Sequence, residues 1–323
     1  MRTTSLELNW IIIMKKLNLI LVSILLFVYV SLSLLSSRGD YCAERELWGI
    51  NRKLGYIASH RESTPDYTIN QLANRYRVFI KKYNGSIDAK SAQLMIGNLY
   101  SLSKNFPLAR LEYQKAVGQD KELSAQAEWA IARTYELEGH WDKASAIYKS
   151  IIQDYPLTSL GFSAPLYLAS HLAASGAQMA YTDGAYRNAL EFYQRTALKY
   201  PKSKLEYNAL RMMAICHLNQ KDWSSTVKTM GEIMMKYPTG KTVQEAVNAI
   251  NLLCVTKLHD YGMGINIYQK FIQRYPDHLD DPLLKKMVKD LQLLKNKKLI
   301  IQTGDTIHTR FSLLVGSLYH TLV

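Results

Sequence analysis

An aromatic residue, a small residue, a second aromatic and a closing Tyr-Pro dipeptide recur along this chain at helical spacing. The clearest copy is Tyr135, Gly139, Ala144, Tyr148 and Tyr155-Pro156, and further stops are Tyr200-Pro201, Tyr237-Pro238 and Tyr275-Pro276. Proline ends a helix because it lacks an N–H for the next rung and disfavours helix at the residue before it. A stop that returns at a near-constant period marks a tandem array of helix pairs, each burying its apolar face on its neighbours. Such arrays bind partners and seldom catalyse.

Residues 121–156 show how one unit works. The spacing predicts a first helix over about Ser124–Leu137, with Ile131, Ala132 and Tyr135 on one face. Gly139 supplies the stop, and a second helix from His140-Trp141-Asp142 carries Ala144, Ile147, Tyr148, Ile151 and Ile152 up to Pro156. Ala132 and Ala144 fall where two helix axes approach closely, while Tyr135 and Tyr148 fill the gaps the alanines leave.

On these residues the chain resembles the tetratricopeptide repeat, an antiparallel helix pair of about 34 residues. Residues 125–156 supply Ala132, Tyr135, Gly139, Ala144, Tyr148 and Pro156, and residues 90–120 supply Gly97, Tyr100, Ala109, Tyr113 and Ala116. Residues 170–201 supply Ala177, Gly184, Ala189, Tyr193 and Pro201. Residues 207–238 (Ala214, Met230, Pro238) and 245–276 (Gly264, Tyr268, Phe271, Pro276) are looser copies. A divergent first repeat over 41–84 has its first helix at about Tyr41–Ile57 and ends in Tyr76, Phe79 and Tyr83. The frames at 90, 125, 170, 207 and 245 are separated by steps of 35, 45, 37 and 38 residues. The long step implies an eleven-residue insertion around Leu157–Ser170, lengthening a first helix or adding a turn before it. An amphipathic closing helix is expected over 281–298, with Leu283, Leu284, Met287, Val288, Leu291 and Leu294 as its apolar positions. The tail, 299–323, has no assigned structure. The resemblance thus implies an all-α fold, a right-handed superhelical solenoid of about six antiparallel helix pairs.

The N-terminal segment sets the expected location. Leu17 to Leu35 are nineteen uncharged, mostly apolar residues preceded by Lys15 and Lys16. That is the pattern of a signal peptide or signal anchor over 1–37, and its length of about 28 Å approaches the ~30 Å hydrocarbon core. The positive-inside rule puts the two lysines in the cytoplasm and the folded part outside it. Three fates are open: cleavage after Ser33 or Ser37, lipidation of Cys42, and an uncleaved anchor. Bulky Tyr41 argues against lipidation, and the anchor is favoured. The Tyr-Pro endings, with repeat steps slightly above 34 residues, resemble bacterial envelope repeat proteins of the outer-membrane assembly lipoprotein D type and the cell-division coordinator type. Asp277-His278 after Pro276 echoes the first of these.

The formal net charge of +13 points to anionic partners or surfaces. Its sharpest cluster, Lys285, Lys286, Lys289, Lys295, Lys297 and Lys298, has no interleaved aromatics and no nucleic-acid motif, so a nucleic-acid partner is not expected. The three cysteines, Cys42, Cys216 and Cys254, form no CxxC pair, which argues against a zinc site or disulfide framework. Cys216 and Cys254 fall at equivalent places in successive units and read as small buried residues. No HExxH, GxSxG, P-loop or GxGxxG pattern occurs. No catalytic residue, metal, cofactor or small-molecule substrate is therefore expected.

The functional expectation is a non-catalytic scaffold of the bacterial cell envelope that binds a protein or peptide partner. In the repeat family the first helices line a concave face. Carried onto this frame, its outward positions are Asn98, Gln126, Trp129, Arg133, Gln178, Tyr181, Asn208 and Arg211. An aromatic anchor at Trp129 with guanidinium donors at Arg133 and Arg211 suits peptide capture. The alternative is a basic binder of acidic envelope polymer or a regulator of a cell-wall enzyme, whose hold would collapse at high salt.

Overall fold

The computed structural model describes residues 5–174 and 184–297, except for most side chains of 5–19 and those of 32–40. Every element among them is helical. In chain order these are α1 (Ser5–Ser59), a short 3-10 turn (Arg61–Ser63), α2 (Asp66–Lys82), α3 (Ile87–Leu102), α4 (Phe106–Gln114), α5 (Lys121–Leu137) and α6 (Trp141–Asp154). There follow α7 (Ser159–Ala174), α8 (Gly184–Lys199), α9 (Lys204–Asn219), α10 (Trp223–Lys236), α11 (Gly240–Leu253), a π-helical turn (Cys254–Leu258), α12 (Tyr261–Arg274) and α13 (Asp281–Lys297). The pairs α1–α2 to α11–α12 make six, closed by α13. The chain forms two compact units, Met1–Phe162 and Ser163–Val323.

In the first unit each helix from α1 to α6 packs on the one before it, and α1 on α3 and α3 on α5 as well. In the second unit α8 to α11 repeat the sequential pattern, and α12 packs on the π-helical turn, on α10 and on α13. Contact only with near neighbours is the arrangement of a solenoid. A recurring tyrosine is the centre of five of the six second helices: Tyr76, Tyr148, Tyr193 and Tyr268 are fully buried and Tyr113 nearly so, while buried Met230 takes the position in α10. The small residues Ala109, Ala132 and Ala144 are also fully buried. At Gly97 even a methyl would not fit, because a Cβ there would land on the Tyr113 ring.

The Tyr-Pro stops work as the proline argument requires, and each is followed by a cap. Ser203 and Thr239 accept from the N–H groups of Glu206 and Thr242, and Thr158 accepts from Gly161. Each satisfies a donor that the first turn leaves unpaired. His278 takes this place at the last stop. Its Nδ1 accepts from the Asp280 N–H at 3.1 Å and its Nε2–H donates to the Pro238 carbonyl at 2.8 Å, stitching two successive stops together. Gly139, with φ of +79°, turns α5 into α6. Lys104, Lys221 and His259 take the same left-handed conformation in three other intra-pair turns, with φ of 58°, 59° and 51°.

The insertion lies elsewhere than expected. Thr158 starts α7 directly after the Pro156 stop, and α7, at 16 residues, is as long as α3. No added turn or lengthened helix occupies Leu157–Ser170. The extra length falls between Ala174 and Gly184, on residues outside those described. Gly184 accordingly opens α8 and makes no turn, and Ala177 lies outside the described residues. The closing helix agrees with the amphipathic reading, with Leu284 and Leu291 buried. Residues 299–323 are outside the description. The expected 17–35 span lies within α1, where Ile20 to Val30 are exposed. Among the described residues, no helix is long and apolar enough to cross a membrane.

Candidate functional site

Gln126, Trp129 and Arg133 lie at i, i+3 and i+7 on α5, so they share one helix face. Gln126 and Trp129 are half-buried and Arg133 is exposed. The Trp129 ring packs 4.6 Å from the ring of Tyr148 on α6. Tyr148 donates its hydroxyl to Glu136 Oε2 at 3.0 Å, and Glu136 Oε1 holds Arg133 Nη1 at 2.9 Å. One carboxylate thus connects a buried phenol to a surface guanidinium. The Arg133 side chain keeps 45 % of its surface exposed against 18 % for Glu136, so it presents donors outward while its position is fixed from below. An aromatic plate beside an oriented guanidinium can hold an apolar side chain and a carboxylate or carbonyl oxygen together.

Asn98 sits differently. Its Oδ1 accepts from the Tyr113 hydroxyl at 2.8 Å and its amide donates to Met95 Sδ at 3.5 Å, so it ties α3 to α4. Tyr76 bonds Asn51 at 2.7 Å and Tyr268 bonds Asn251 at 2.9 Å in the same way. A polar residue of the first helix that satisfies the buried tyrosine of the second is therefore a recurring device. Sequence reading missed it. The sequence carries a signal for it at Asn98 and Asn251, each flanked by apolar or small residues, but none at Asn51, which Arg52 and Lys53 follow.

In the second unit Asn208 and Arg211 are half-buried on α9. The Arg211 guanidinium lies 5.8 Å over the Tyr207 ring, which meets the Tyr237 ring edge-on at 5.1 Å. Gln178 and Tyr181 are outside the described residues.

The closing tyrosines give the electrostatic pattern. Tyr83 donates to Glu46 at 3.0 Å, Tyr155 to Glu128 at 3.0 Å and Tyr237 to Glu206 at 2.8 Å, each reaching the first helix of its own pair. Lysine precedes the first and third of these tyrosines: Lys82 pairs with Glu46 at 2.7 Å and Lys236 with Glu206 at 2.6 Å. The Lys82 bond pulls the Glu46 carboxyl below its usual range. Burial alone would raise Glu206, but bonds from Lys236, Tyr237 and the Lys202 N–H outweigh it and hold that carboxyl low. Asp154 precedes Tyr155 instead. Burial then pushes the Glu128 carboxyl up, the Tyr155 bond offsets only part of this, and Asp154 adds to the rise.

Among the described residues, no group of three or more His, Cys, Asp or Glu side chains could hold a metal ion. Cys216 and Cys254 are free and buried, and burial raises their thiols to about 12 and about 11, which makes them poor nucleophiles.

A search of curated proteins gives no match. Among solved structures, the TPR2AB-domain:pHSP90 complex of yeast Sti1 aligns over 78 % of this chain and 99 % of its own, at 10 % identity and a TM-score of 0.31. A likeness that loose adds nothing to the helix-pair plan described above. The family model described as the tetratricopeptide repeat matches residues 126–158. That span covers most of α5, all of α6 and the Tyr155-Pro156 stop, so the pair that carries Trp129 and Arg133 is the part of the chain that matches the tetratricopeptide repeat.

Proposed function

We propose that this chain is a non-catalytic scaffold that captures a protein or peptide partner on the α5 face of Gln126, Trp129 and Arg133, within a right-handed solenoid held to a membrane by α1. The observation that carries the reading is the Trp129–Tyr148–Glu136–Arg133 chain of contacts, which fixes an anchor and a donor in advance of any ligand. Preorganisation lowers the ordering cost of binding. The membrane attachment is supported by the apolar run 17–35 behind Lys15 and Lys16, and by the exposure of Ile20 to Val30, a surface that needs an apolar cover. On that reading the folded part faces the outer, periplasmic side of a bacterial inner membrane and takes part in envelope protein assembly.

The test is cross-linked co-purification from detergent-extracted native membranes at low and at high salt, with Trp129→Ala and Arg133→Glu as variants. One or two envelope proteins retained at both salts, and weakened by both variants at unchanged helicity, support the scaffold. Recovery of acidic polymer alone, lost at high salt, replaces it with a basic polymer binder. Capture unchanged in both variants removes the α5 face from the reading.

A further inference from the structure

The open face of the first helix pair carries a second surface. A cavity of about 530 Å³ lies between α1 and α2, lined among others by Arg52, Lys53 and Tyr56 of α1 and by Gln71, Leu72 and Arg75 of α2. No aspartate or glutamate lines it. Arg52 packs over the exposed Trp48 ring at 5.1 Å, and Arg75 has within electrostatic reach Glu46, a carboxylate that Lys82 already holds at 2.7 Å. Nearby, Arg61 likewise pairs with Asp66 at 2.9 Å.

The recurring Asn–Tyr bond gives a register for comparing α1 with α3. Counted from Asn98, the positions six before, two before and one after are Ala92, Ile96 and Leu99, all fully buried. Counted from Asn51, the same positions are Arg45, Gly49 and Arg52. The next position holds buried Tyr100 in α3 and exposed Lys53 in α1. The side of the first helix that an inner pair would bury is therefore basic, concave and floored by Leu72 and Ile57, with the Tyr56 ring 63 % exposed at its edge.

We propose that this groove docks an acidic peptide segment of another protein, its carboxylates on Arg52, Lys53 and Arg75 and an apolar side chain against Tyr56 and Leu72. Charge complementarity selects this occupant. A second copy is disfavoured, because the chain carries +13 and its closing helix adds Lys285, Lys286, Lys289 and Lys295, so head-to-tail stacking would set cations against cations. On the membrane attachment proposed above, lipid headgroups are disfavoured by distance. Arg52 lies seventeen residues beyond Leu35 on one helix, roughly 25 Å, against a headgroup layer about 5–8 Å thick.

The experiment uses the full chain in non-ionic detergent and a fluorescein-labelled Glu/Asp-rich peptide containing one Trp, followed by anisotropy. Arg52→Glu with Arg75→Glu should weaken the peptide by about tenfold or more. Lys286→Glu with Lys289→Glu makes the same charge change on α13 and should leave affinity within about twofold. Tyr56→Ala, which alters no charge, should weaken it several-fold, and thermal melts verify that each variant folds. Three outcomes overturn the proposal: no binding of the peptide, equal losses in the two charge-reversal pairs, or an α1–α2 effect seen only with vesicles containing phosphatidylserine. The second would reveal non-specific polycation attraction and the third a lipid site.

Discussion

Tyr155 donates its hydroxyl to Glu128 at 3.0 Å, and the residue before it is an aspartate where the matching Tyr83 and Tyr237 follow a lysine. Glu46 and Glu206 are thereby stabilised as carboxylates, while burial and Asp154 make ionised Glu128 unfavourable. A carboxyl whose folded value is raised takes up its proton earlier in the folded state than in the unfolded chain. Its burden on stability at neutral pH is therefore relieved as pH falls through the folded value toward the ordinary glutamate range. Asp154→Lys should copy the other two stops and raise the stability at pH 7 by roughly 1 kcal/mol or less. Melts across pH 4 to 8 test it: the variant's advantage should shrink toward the acid end, and an equal gain at every pH would assign the effect to something other than Glu128.

Left-handed backbone costs an L-residue about 1–2 kcal/mol, part of which glycine gives back through its larger entropy loss on folding. Lys104→Gly and Lys221→Gly should each stabilise the chain by about 0.5–1 kcal/mol, since both residues hold positive φ in turns where the α5–α6 pair has glycine. Gly139→Ala should cost about 1–2 kcal/mol. Urea midpoints measure all three, and a destabilised Lys221→Gly would mean that its side chain contributes more than its backbone strain.

Tyr113→Phe removes the hydroxyl that Asn98 accepts and leaves a partly buried amide oxygen unsatisfied, a loss of about 1–2 kcal/mol. Asn98→Ala should destabilise by a similar amount and, in the double variant, add little, because the two single changes delete one bond. Additive losses in that cycle would show that Asn98 and Tyr113 act separately.

Ala144 is fully buried, so Ala144→Trp overpacks the α5–α6 contact and should lower stability by about 1–3 kcal/mol or more. A wild-type melt would mean that the two helices do not meet there.

At high pH the buried phenols dominate. Burial raises Tyr113 to about 12 and carries Tyr76, Tyr193 and Tyr268 higher still, whereas an unfolded tyrosine ionises near 10. Below pH 10 both states keep these protons and stability is unaffected. Above it only the unfolded chain releases them, so stability falls steadily with rising pH. Phenolate absorbance should then appear in two steps, exposed tyrosines first and the buried set together with loss of helix. Ionisation of the whole set ahead of the helix signal would contradict their burial.

The helix-pair plan was legible because its determinants are local: proline stops, alanines at close approaches and a large ring four residues beyond Ala109, Ala144 and Ala189. The insertion was misplaced because glycine both ends and begins helices, and Gly184 begins one. Three of the four left-handed intra-pair turns were invisible, since Lys104, Lys221 and His259 carry no turn signature of their own. Only the Asn105, Asp222 and Asp260 caps that follow them mark the spot. Asn98 was placed in the groove list because a sequence position shows which helix face a residue occupies but not what hydroxyl stands opposite. The basic groove between α1 and α2 is set by which side chains of the two helices come to face each other, Arg52 and Lys53 against Arg75, and that is settled by packing rather than by any local signal.

Glu136 has one oxygen on Arg133 and the other on the Tyr148 hydroxyl, and the Tyr148 ring lies against the Trp129 indole. Whatever takes hold of Arg133 tugs on that carboxylate and shifts the surroundings of an indole three contacts away. Binding at Arg133 should therefore change tryptophan emission, with Trp129 as the nearer reporter and Trp141, whose ring lies 6.2 Å from that of Tyr148, as a second.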